Sequence, residues 1–148
     1  MLAQNKYILQ SNSANLDQII DLLKNCTFSP PLSHTVNINE YSKKLSLFSH
    51  RYELWIDGKL IGLIAVYENR PPEAYVSVLC VIDECKGLGY GNKLLRYSLG
   101  EIESKGFKKV SLEVYNDNSI AFNLYLKYNF VPVLIDNNKT LMCKYFNN

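Results

Sequence analysis

Three glycines at alternate positions, Gly87, Gly89 and Gly91, are the feature of this chain most suited to chemistry. An apolar run ending at Ile82 precedes them, and a stretch with helical periodicity follows them. A glycine-rich turn from a strand into a helix presents backbone N–H groups at the positive end of the helix dipole, where they can bind phosphate. The missing Cβ atoms let a diphosphate approach the backbone. The alternative is a turn that only connects the strand to the helix.

Two well-known phosphate-binding motifs fit this loop poorly. A P-loop has Ser or Thr directly after Gly-Lys to hold magnesium, whereas this loop ends in Gly91-Asn92-Lys93-Leu94. A dinucleotide-binding fingerprint is partly matched by Gly87-Leu-Gly89, with Glu113 ending the next strand, but Asn92 stands where its third glycine belongs. The unit also follows antiparallel hairpin signals instead of belonging to a series of parallel units. A nucleotide-binding regulatory module is therefore the weakest of the alternatives.

A third interpretation comes from a family resemblance. The segment Lys86-Gly-Leu-Gly89-Tyr-Gly91 resembles the pyrophosphate loop of the GNAT acetyltransferase superfamily, which reads Gln or Arg, two residues, Gly, one residue, then Gly or Ala. Lys86 replaces the usual Gln or Arg and keeps a polar, flexible side chain. Residues 112–130 resemble the family's second cofactor block, with matching spacing of Asn118, Ala121, Tyr125 and Phe130. Asn129 replaces a Gly, and Asn tolerates the left-handed conformation of a helix C-cap.

The resemblance covers residues 52–146 by element order and implies that acetyl-coenzyme A (acetyl-CoA) is the cosubstrate. The cofactor cleft would lie where two parallel strands, 74–82 and 109–114, splay apart. On the first strand, backbone groups would pair with the pantetheine arm and the thioester oxygen, at Leu79, Cys80 and Val81. In the loop, backbone N–H groups would bind the diphosphate, with the family positions falling on Lys86, Gly87, Leu88, Gly89, Tyr90, Gly91 and Asn92. Gly91 could also serve close packing of the helix on the strand.

Three side chains of this cleft have a structural alternative to the role that the resemblance implies. Asn118 would bond a pantetheine amide, or cap a helix, or do both. Tyr125 would protonate the departing coenzyme A thiolate, and its alternative is core packing on an amphipathic helix. The side chain of Cys80 is expected to be a small core group.

The acceptor amine is protonated at neutral pH and must lose a proton before it attacks the thioester. Glu113 is at the position that looks like the base of those relatives that acetylate a ribosomal N-terminal alanine. A solvated strand residue is its alternative role. Glu73, His34 and a chain of water molecules are the other candidates for the base.

In proteins that this chain resembles, the two N-terminal helices and their loop shape the acceptor pocket. Six residues of that region are candidates for its walls: Phe28, Leu32, Ser33, His34, Tyr41 and Phe48. The two aromatic residues of the second helix could equally pack in the core. No acidic cluster suits a polyamine, so a small amine, an amino sugar and a peptide N-terminus stay open. The implied activity is N-acetyl transfer to a primary amine by direct attack, with a non-catalytic acyl-CoA sensor as the alternative.

The elements that must position these residues follow the order β-α-α-β-β-β-α-β-α-β-β. The predicted strands are residues 6–10, 52–56, 60–67, 74–82, 109–114, 130–135 and 140–145. The predicted helices begin at Ser13 or Asn15, at Asn37 or Asn39, at Gly89, and at Asn116 or Asn118. Residues 69–73 are predicted to form a loop. This order predicts a GNAT-like α+β fold with a mostly antiparallel central sheet, one β-α-β crossover and helices on both faces.

The bulk composition narrows the class further. The 148 residues suit a single domain, 1–148, and carry 16 basic and 14 acidic side chains without a dense basic run, which argues against nucleic acid. No apolar run is long enough for a bilayer, so we expect a cytoplasmic protein without a membrane partner. Four cysteines lack metal-like spacing, so no metal is predicted: Cys26, Cys80, Cys85 and Cys143. A homodimer is possible.

Overall fold

The computed structural model describes residues 6–147, so residues 1–5 and Asn148 of the predicted domain lie outside the described residues. The described part contains four α-helices: α1 (Leu16–Lys24), α2 (Ile38–Phe48), α3 (Tyr90–Ser104) and α4 (Ser119–Lys127). It also contains seven strands: β1 (Tyr7–Ser11), β2 (His50–Ile56), β3 (Lys59–Arg70), β4 (Glu73–Val81), β5 (Lys109–Tyr115), β6 (Val131–Ile135) and β7 (Lys139–Tyr145). The order of these elements along the chain is the predicted one.

The strands form one sheet in the order β1-β2-β3-β4-β5-β7-β6. Every neighbouring pair is antiparallel except β4 and β5, which are parallel because α3 connects them as a crossover. This arrangement confirms the predicted α+β fold. The parallel pairing runs only from Glu73↔Lys109 to Val76↔Leu112, and beyond it the two strands part. The sheet is therefore open along the second half of β4.

Helices cover both faces of the sheet. The Tyr52 ring packs edge-on against Tyr97 of α3, with 5.6 Å between the ring centroids. The neighbouring carboxylate of Glu53 accepts the backbone N–H of Ser13 at 2.9 Å, just before α1. Because successive strand residues point to opposite faces, α1 and α3 lie on opposite sides of β2. A Cβ on Gly62 would lie 2.9 Å from Leu94 Cδ1, so glycine allows α3 to approach β3 closely.

Local side-chain chemistry decides where the helices begin. The side chain of Asn15 accepts the Gln18 N–H at the start of α1, in a capping box. Asn37 caps α2 and Asn118 caps α4 in the same way, which resolves the three alternatives in the predicted helix starts. The predicted loop at 69–73 is wrong, because backbone pairing continues to Arg70↔Glu73 and leaves only two residues for the turn. Residues 68–70 are polar and therefore resemble a loop in the sequence, although they form the end of β3.

Candidate active site

A cleft of about 1140 Å³ occupies the opening between β4 and β5. Its walls come from β4, β5, the glycine loop, α4 and the segment that follows α1. Twelve of the thirteen predicted site residues line it: Leu79, Cys80, Val81, Lys86, Gly87, Gly89, Tyr90, Gly91, Asn92, Glu113, Asn118 and Tyr125. Leu88 is the exception, since its side chain is 61% exposed and does not line the cleft. The binding and catalytic roles of these residues remain predictions.

The glycine loop faces open space. Gly87 and Gly89 have φ angles of 80° and 86°, and Gly89 is the N-cap of α3. A Cβ on either of them, or on Gly91, would meet no atom within 4 Å. Gly91 is thus not needed for close packing on the strand, contrary to the expectation. The first N–H groups of α3 have no intrahelical partner, so they are available to an anion in the cleft.

Lys86 braces the loop. Its ammonium lies 3.0 Å from the Asp83 carboxylate and donates to the Thr27 carbonyl oxygen at 3.3 Å. The same carboxylate accepts the hydroxyl and the backbone N–H of Thr27 at 2.6 and 2.8 Å. These bonds, the Thr27 hydroxyl foremost, lower the pKa of Asp83 to about 2. The cation at the family's Gln or Arg position is therefore tied to the segment after α1.

Sequence reasoning missed the contact between α4 and the start of α3. The hydroxyl of Tyr128 donates to the side-chain oxygen of Asn92. The ammonium of Lys127 lies 3.5 Å from the same oxygen and lines the cleft. The only sequence signal was a lysine in the last turn of α4, where the helix dipole already accounts for a cation. Together these two residues fix the N-terminal turn of α3 beside the glycine loop.

Tyr125 combines burial with access to the cleft. Its side chain is 8% exposed, packs edge-on against Phe130 at 5.7 Å between ring centroids, and lines the cleft. Burial raises the pKa of its hydroxyl to about 12, with a smaller contribution from nearby Cys80. The hydroxyl thus carries its proton at neutral pH. Core packing and contact with a ligand are compatible for this side chain.

Asn118 and Cys80 both line the cleft. The side chain of Asn118 accepts the Ala121 N–H at 3.2 Å, so its capping role is confirmed and its cleft role stays a prediction. The hydrogen bond with Cys26 and burial raise the pKa of the Cys80 thiol. A protonated, buried thiol is a poor nucleophile, which agrees with the expected core role of this side chain.

Glu113 is the candidate base that the fold brings to the cleft. Its carboxylate accepts the Tyr75 hydroxyl at 3.1 Å, and both residues line the cleft. Burial, together with the charge of Glu113, raises the pKa of Tyr75 to about 12, so Tyr75 acts as a donor. Glu73 is exposed, pairs with Lys109 at 3.6 Å and does not line the cleft. His34 lies exposed in a short 3₁₀ turn outside the lining.

Half of the predicted acceptor walls face the cleft. Phe28, Leu32 and Tyr41 line it. Ser33, His34 and Phe48 do not, and Phe48 is 63% exposed at the end of α2. The Tyr41 hydroxyl lies 2.6 Å from the hydroxyl of Ser77 on β4, and burial raises its pKa to about 12. These residues give the acceptor end apolar surface and two neutral hydroxyls.

Residues 6–147 contain neither a metal-binding cluster nor a membrane-spanning helix. No three His, Cys, Asp or Glu side chains in this range converge as ligands for a metal ion. No helix in this range has the length and apolar character needed to cross a membrane.

The open sheet and its glycine loop define an acyl-CoA-binding fold, and comparison with known proteins gives the family. The model of the acetyltransferase (GNAT) family matches residues 16–130, and the chain belongs to this family. Acetyl-CoA is the cosubstrate of the family, as the sequence predicted. No curated protein matches the sequence with statistical significance.

Solved structures with the same fold share little sequence with this chain. The ribosomal-protein-S18-alanine N-acetyltransferase from Escherichia coli superposes with a TM-score of 0.79 at 16% identity, over 95% of this chain and 94% of that one. PaiA N-acetyltransferase from Thermoplasma acidophilum, in complex with coenzyme A, gives 0.76 at 19% identity, over 94% and 99%. A Bacillus subtilis acetyltransferase in complex with coenzyme A gives 0.73 at 16% identity, over 95% and 99%. These likenesses show the fold.

Proposed function

We propose that this chain is a single-domain N-acetyltransferase that transfers the acetyl group of acetyl-CoA to a primary amine by direct attack. The observation that carries the proposal is one continuous cleft with the glycine loop at one end and the Tyr75–Glu113 pair toward the other. The buried hydroxyl of Tyr125 lies along the same cleft. An amine, a thioester and a proton donor can therefore meet in one site.

The residues at the loop end fit a diphosphate. Backbone N–H groups from Gly87 to Asn92 would hold it, because the start of α3 supplies unpaired donors and a positive dipole. No neighbouring atom occupies the space in front of the three glycines. The backbone of Leu79, Cys80 and Val81 belongs to the part of β4 that is unpaired with β5, so it can pair with a pantetheine arm.

The proposed reaction uses one proton acceptor and one proton donor of the protein. Glu113, held by the Tyr75 hydroxyl, accepts a proton from the bound ammonium group, and the free amine then attacks the thioester carbonyl. The collapse of the tetrahedral intermediate breaks the carbon–sulfur bond, and Tyr125 donates its proton toward the departing sulfur. The attacking nitrogen releases its second proton to solvent, and solvent returns a proton to Tyr125. A pKa of about 12 for Tyr125 lies above the roughly 8.5 of an ordinary thiol, which disfavours complete transfer. Burial raises the basicity of the thiolate as well, and this narrows the difference.

Positioning supplies much of the expected rate enhancement. The amine and the thioester are held in one cleft, which converts a bimolecular encounter into an intramolecular step. Backbone N–H groups of β4 beside Cys80 would polarise the thioester carbonyl as negative charge develops on its oxygen. The chemistry requires no covalent intermediate on the protein, and the high pKa of the Cys80 thiol agrees with that.

The experiment that tests this proposal has two parts. Thermal unfolding is measured with acetyl-CoA, NAD and ATP, and coenzyme A release is then measured with a panel of amines. Acetyl-CoA at about a hundred times its dissociation constant should add about 2.7 kcal/mol of stability. Binding without turnover for any amine would favour the acyl-CoA sensor, and stabilisation by NAD or ATP alone would favour the nucleotide module.

A further inference from the structure

The acceptor end of the cleft carries one fixed group of each charge on a single face of the sheet. Glu113 and Tyr115 alternate along β5 and so point to the same face. Tyr115 is paired directly with Lys139 of β7, and directly paired residues share a face. All three residues line the cleft. The carboxylate and the ammonium group therefore stand beside the same space.

The carboxylate is held in place from the neighbouring strand. Tyr75 of β4 donates its hydroxyl to Glu113 at 3.1 Å. Glu113 takes part in no ion pair among the described residues. A positively charged amine is the complement of such a carboxylate.

The ammonium group of Lys139 rests on an aromatic ring and forms no direct ion pair among the described residues. It lies 5.0 Å from the centroid of the Tyr115 ring, within the range of a cation–π contact. The Asp136 carboxylate bonds to the backbone N–H of Lys139 at 2.8 Å, and no ion pair of the Lys139 ammonium occurs in residues 6–147. The charge of Lys139 interacts with Asp136 without direct contact between the charged groups, so the ammonium group can still bind an anionic group of the ligand.

Four of the other residues at the acceptor end carry no charge at physiological pH. Tyr41 and Ser77 pair through their hydroxyls, and Phe28 and Leu32 are apolar. Asp117 is the other carboxylate that lines the cleft. It also lines an adjoining cavity of about 450 Å³. This wall composition gives the ligand one site for a cation and one for an anion.

We propose, on the basis of the proposed function, that the acceptor is an amine that also carries an anionic group. The amine would lie at Glu113, and a carboxylate or phosphate would lie at Lys139. Tyr115 is two residues from Glu113 along β5, a distance of about 7 Å, and Lys139 stands opposite Tyr115. Glu113 and Lys139 are therefore diagonal neighbours on adjacent strands, about 7–8 Å apart at the backbone, and an ω-amino acid or an aminoalkyl phosphate carries the two opposite charges at the ends of a short spacer.

The chain contains its own control for the contribution of Lys139. Lys109 pairs with Tyr145 at the other end of the same β5–β7 ladder, with its ammonium 5.8 Å from the ring centroid. Lys109 does not line the cleft. Lys139→Gln and Lys109→Gln therefore remove the same kind of cross-strand contact, and only the first removes a cation from the acceptor end.

The test compares kcat/KM for matched acceptors. γ-Aminobutyrate is compared with its amide, and phosphoethanolamine with ethanolamine, at saturating acetyl-CoA. We expect the wild type to favour at least one anionic acceptor about tenfold or more, the range of a charge-assisted bond. The two pairs distinguish carboxylate from phosphate as the anion. Lys139→Gln should abolish the preference by slowing only the anionic acceptor, while Lys139→Arg and Lys109→Gln should keep it.

Equal kcat/KM values for both members of each pair, or a preference that survives in Lys139→Gln, would overturn the inference while leaving N-acetyl transfer intact. If none of the four probes turns over, binding of the N-acetylated products to the coenzyme A complex decides the question. Charge-dependent binding that disappears in Lys139→Gln would support the anion site. Binding without charge preference would refute it, and an absence of turnover across the wider amine panel would count against the proposed function instead.

Discussion

The polar groups of the β2–β3 half of the sheet and those of the cleft between β4 and β5 are satisfied in different ways. Glu53 on β2 is fully buried and accepts the N–H groups of Ser13, Ala14 and Trp55 at 2.9 to 3.2 Å. The guanidinium of Arg51 lies 3.6 Å from it and donates to three carbonyl oxygens around the end of α2. This half of the sheet encloses its charged groups in protein, although Arg51 Nε and His50 Nε2 are buried without a hydrogen-bond partner in residues 6–147.

The cleft leaves its polar groups only partly engaged. Glu113 accepts one side-chain hydrogen bond, from Tyr75. Lys139 rests on an aromatic ring, and the three glycines face empty space. The difference indicates where function lies in this fold, because Glu53 is enclosed by protein whereas Glu113, Lys139 and the glycine loop are open to a ligand in the cleft. Substitutions in the closed half should therefore affect folding, and those in the cleft should affect binding and turnover.

The largest effect is expected for a substitution in the β2–β3 half of the sheet, here called the closed half because protein encloses its charged groups. Glu53→Gln removes the charge that opposes the buried Arg51, so we expect a loss of about 3 kcal/mol or more in the free energy of unfolding. The matched change in the cleft, Glu113→Gln, should leave unfolding within about 0.5 kcal/mol of the wild type, because the side chain is exposed. Urea denaturation of both variants measures the contrast. Similar losses for the two variants would contradict the division into a closed and an open half.

The second effect concerns turnover alone. Tyr125→Phe keeps the ring and its packing on Phe130 while removing the hydroxyl. Turnover should fall about a hundredfold, equivalent to roughly 2.7 kcal/mol of transition-state stabilisation. The affinity for acetyl-CoA and the melting temperature should stay nearly unchanged. Wild-type turnover in this variant, under conditions in which chemistry limits the rate, would show that another group protonates the thiolate.

Substitutions in the glycine loop should weaken the binding of acetyl-CoA. Gly91→Val places a side chain in the space where no protein atom lies within 4 Å, at a position without a positive φ. Obstruction of one or two charge-assisted bonds should weaken acetyl-CoA binding about tenfold or more, as measured by calorimetry. Gly89→Val should also lose about 1 kcal/mol of stability, because the φ of Gly89 is 86°. Normal affinity in a folded Gly91→Val protein would remove the loop from the site.

The smallest effect concerns pH and lies in the closed half. Burial lowers the pKa of His50, with Lys105 and Arg51 acting in the same direction and Glu68 and Glu101 opposing it. The folded pKa lies below that of the unfolded chain, so the unfolded state binds more protons as the pH falls through about 6.5. Stability should therefore decline as the pH falls below that point, and the decline should be shallower in His50→Gln. An identical pH dependence for the two proteins would contradict this assignment.

The sequence predicted the parts of this molecule that depend on local chemistry. The structure confirms the element order, and it selects Asn15, Asn37 and Asn118 from the two candidates predicted for each helix cap. The grouping of Glu113 with the loop followed from a family pattern instead of from periodicity. Both kinds of signal survive in a single sequence because they are carried by a few residues at fixed spacing.

Contacts between distant segments could not be predicted in the same way. The cross-strand pair of Tyr115 and Lys139 depends on the β5–β7 register, which is set by the whole closing hairpin. The bond from Tyr75 to Glu113 depends on parallel pairing across a crossover of many residues. The close approach of α3 to Gly62 likewise has no sequence signal beyond an isolated glycine in a strand.

The most direct test of the account is mass spectrometry of amine acceptors after incubation with acetyl-CoA and the wild-type protein, with Tyr125→Phe as the comparison. The account predicts an acetyl group on the amine nitrogen, formed in step with free coenzyme A and about a hundredfold more slowly in the variant. Tight binding of acetyl-CoA with no acetylated amine from either protein would contradict the proposed activity and favour a sensor.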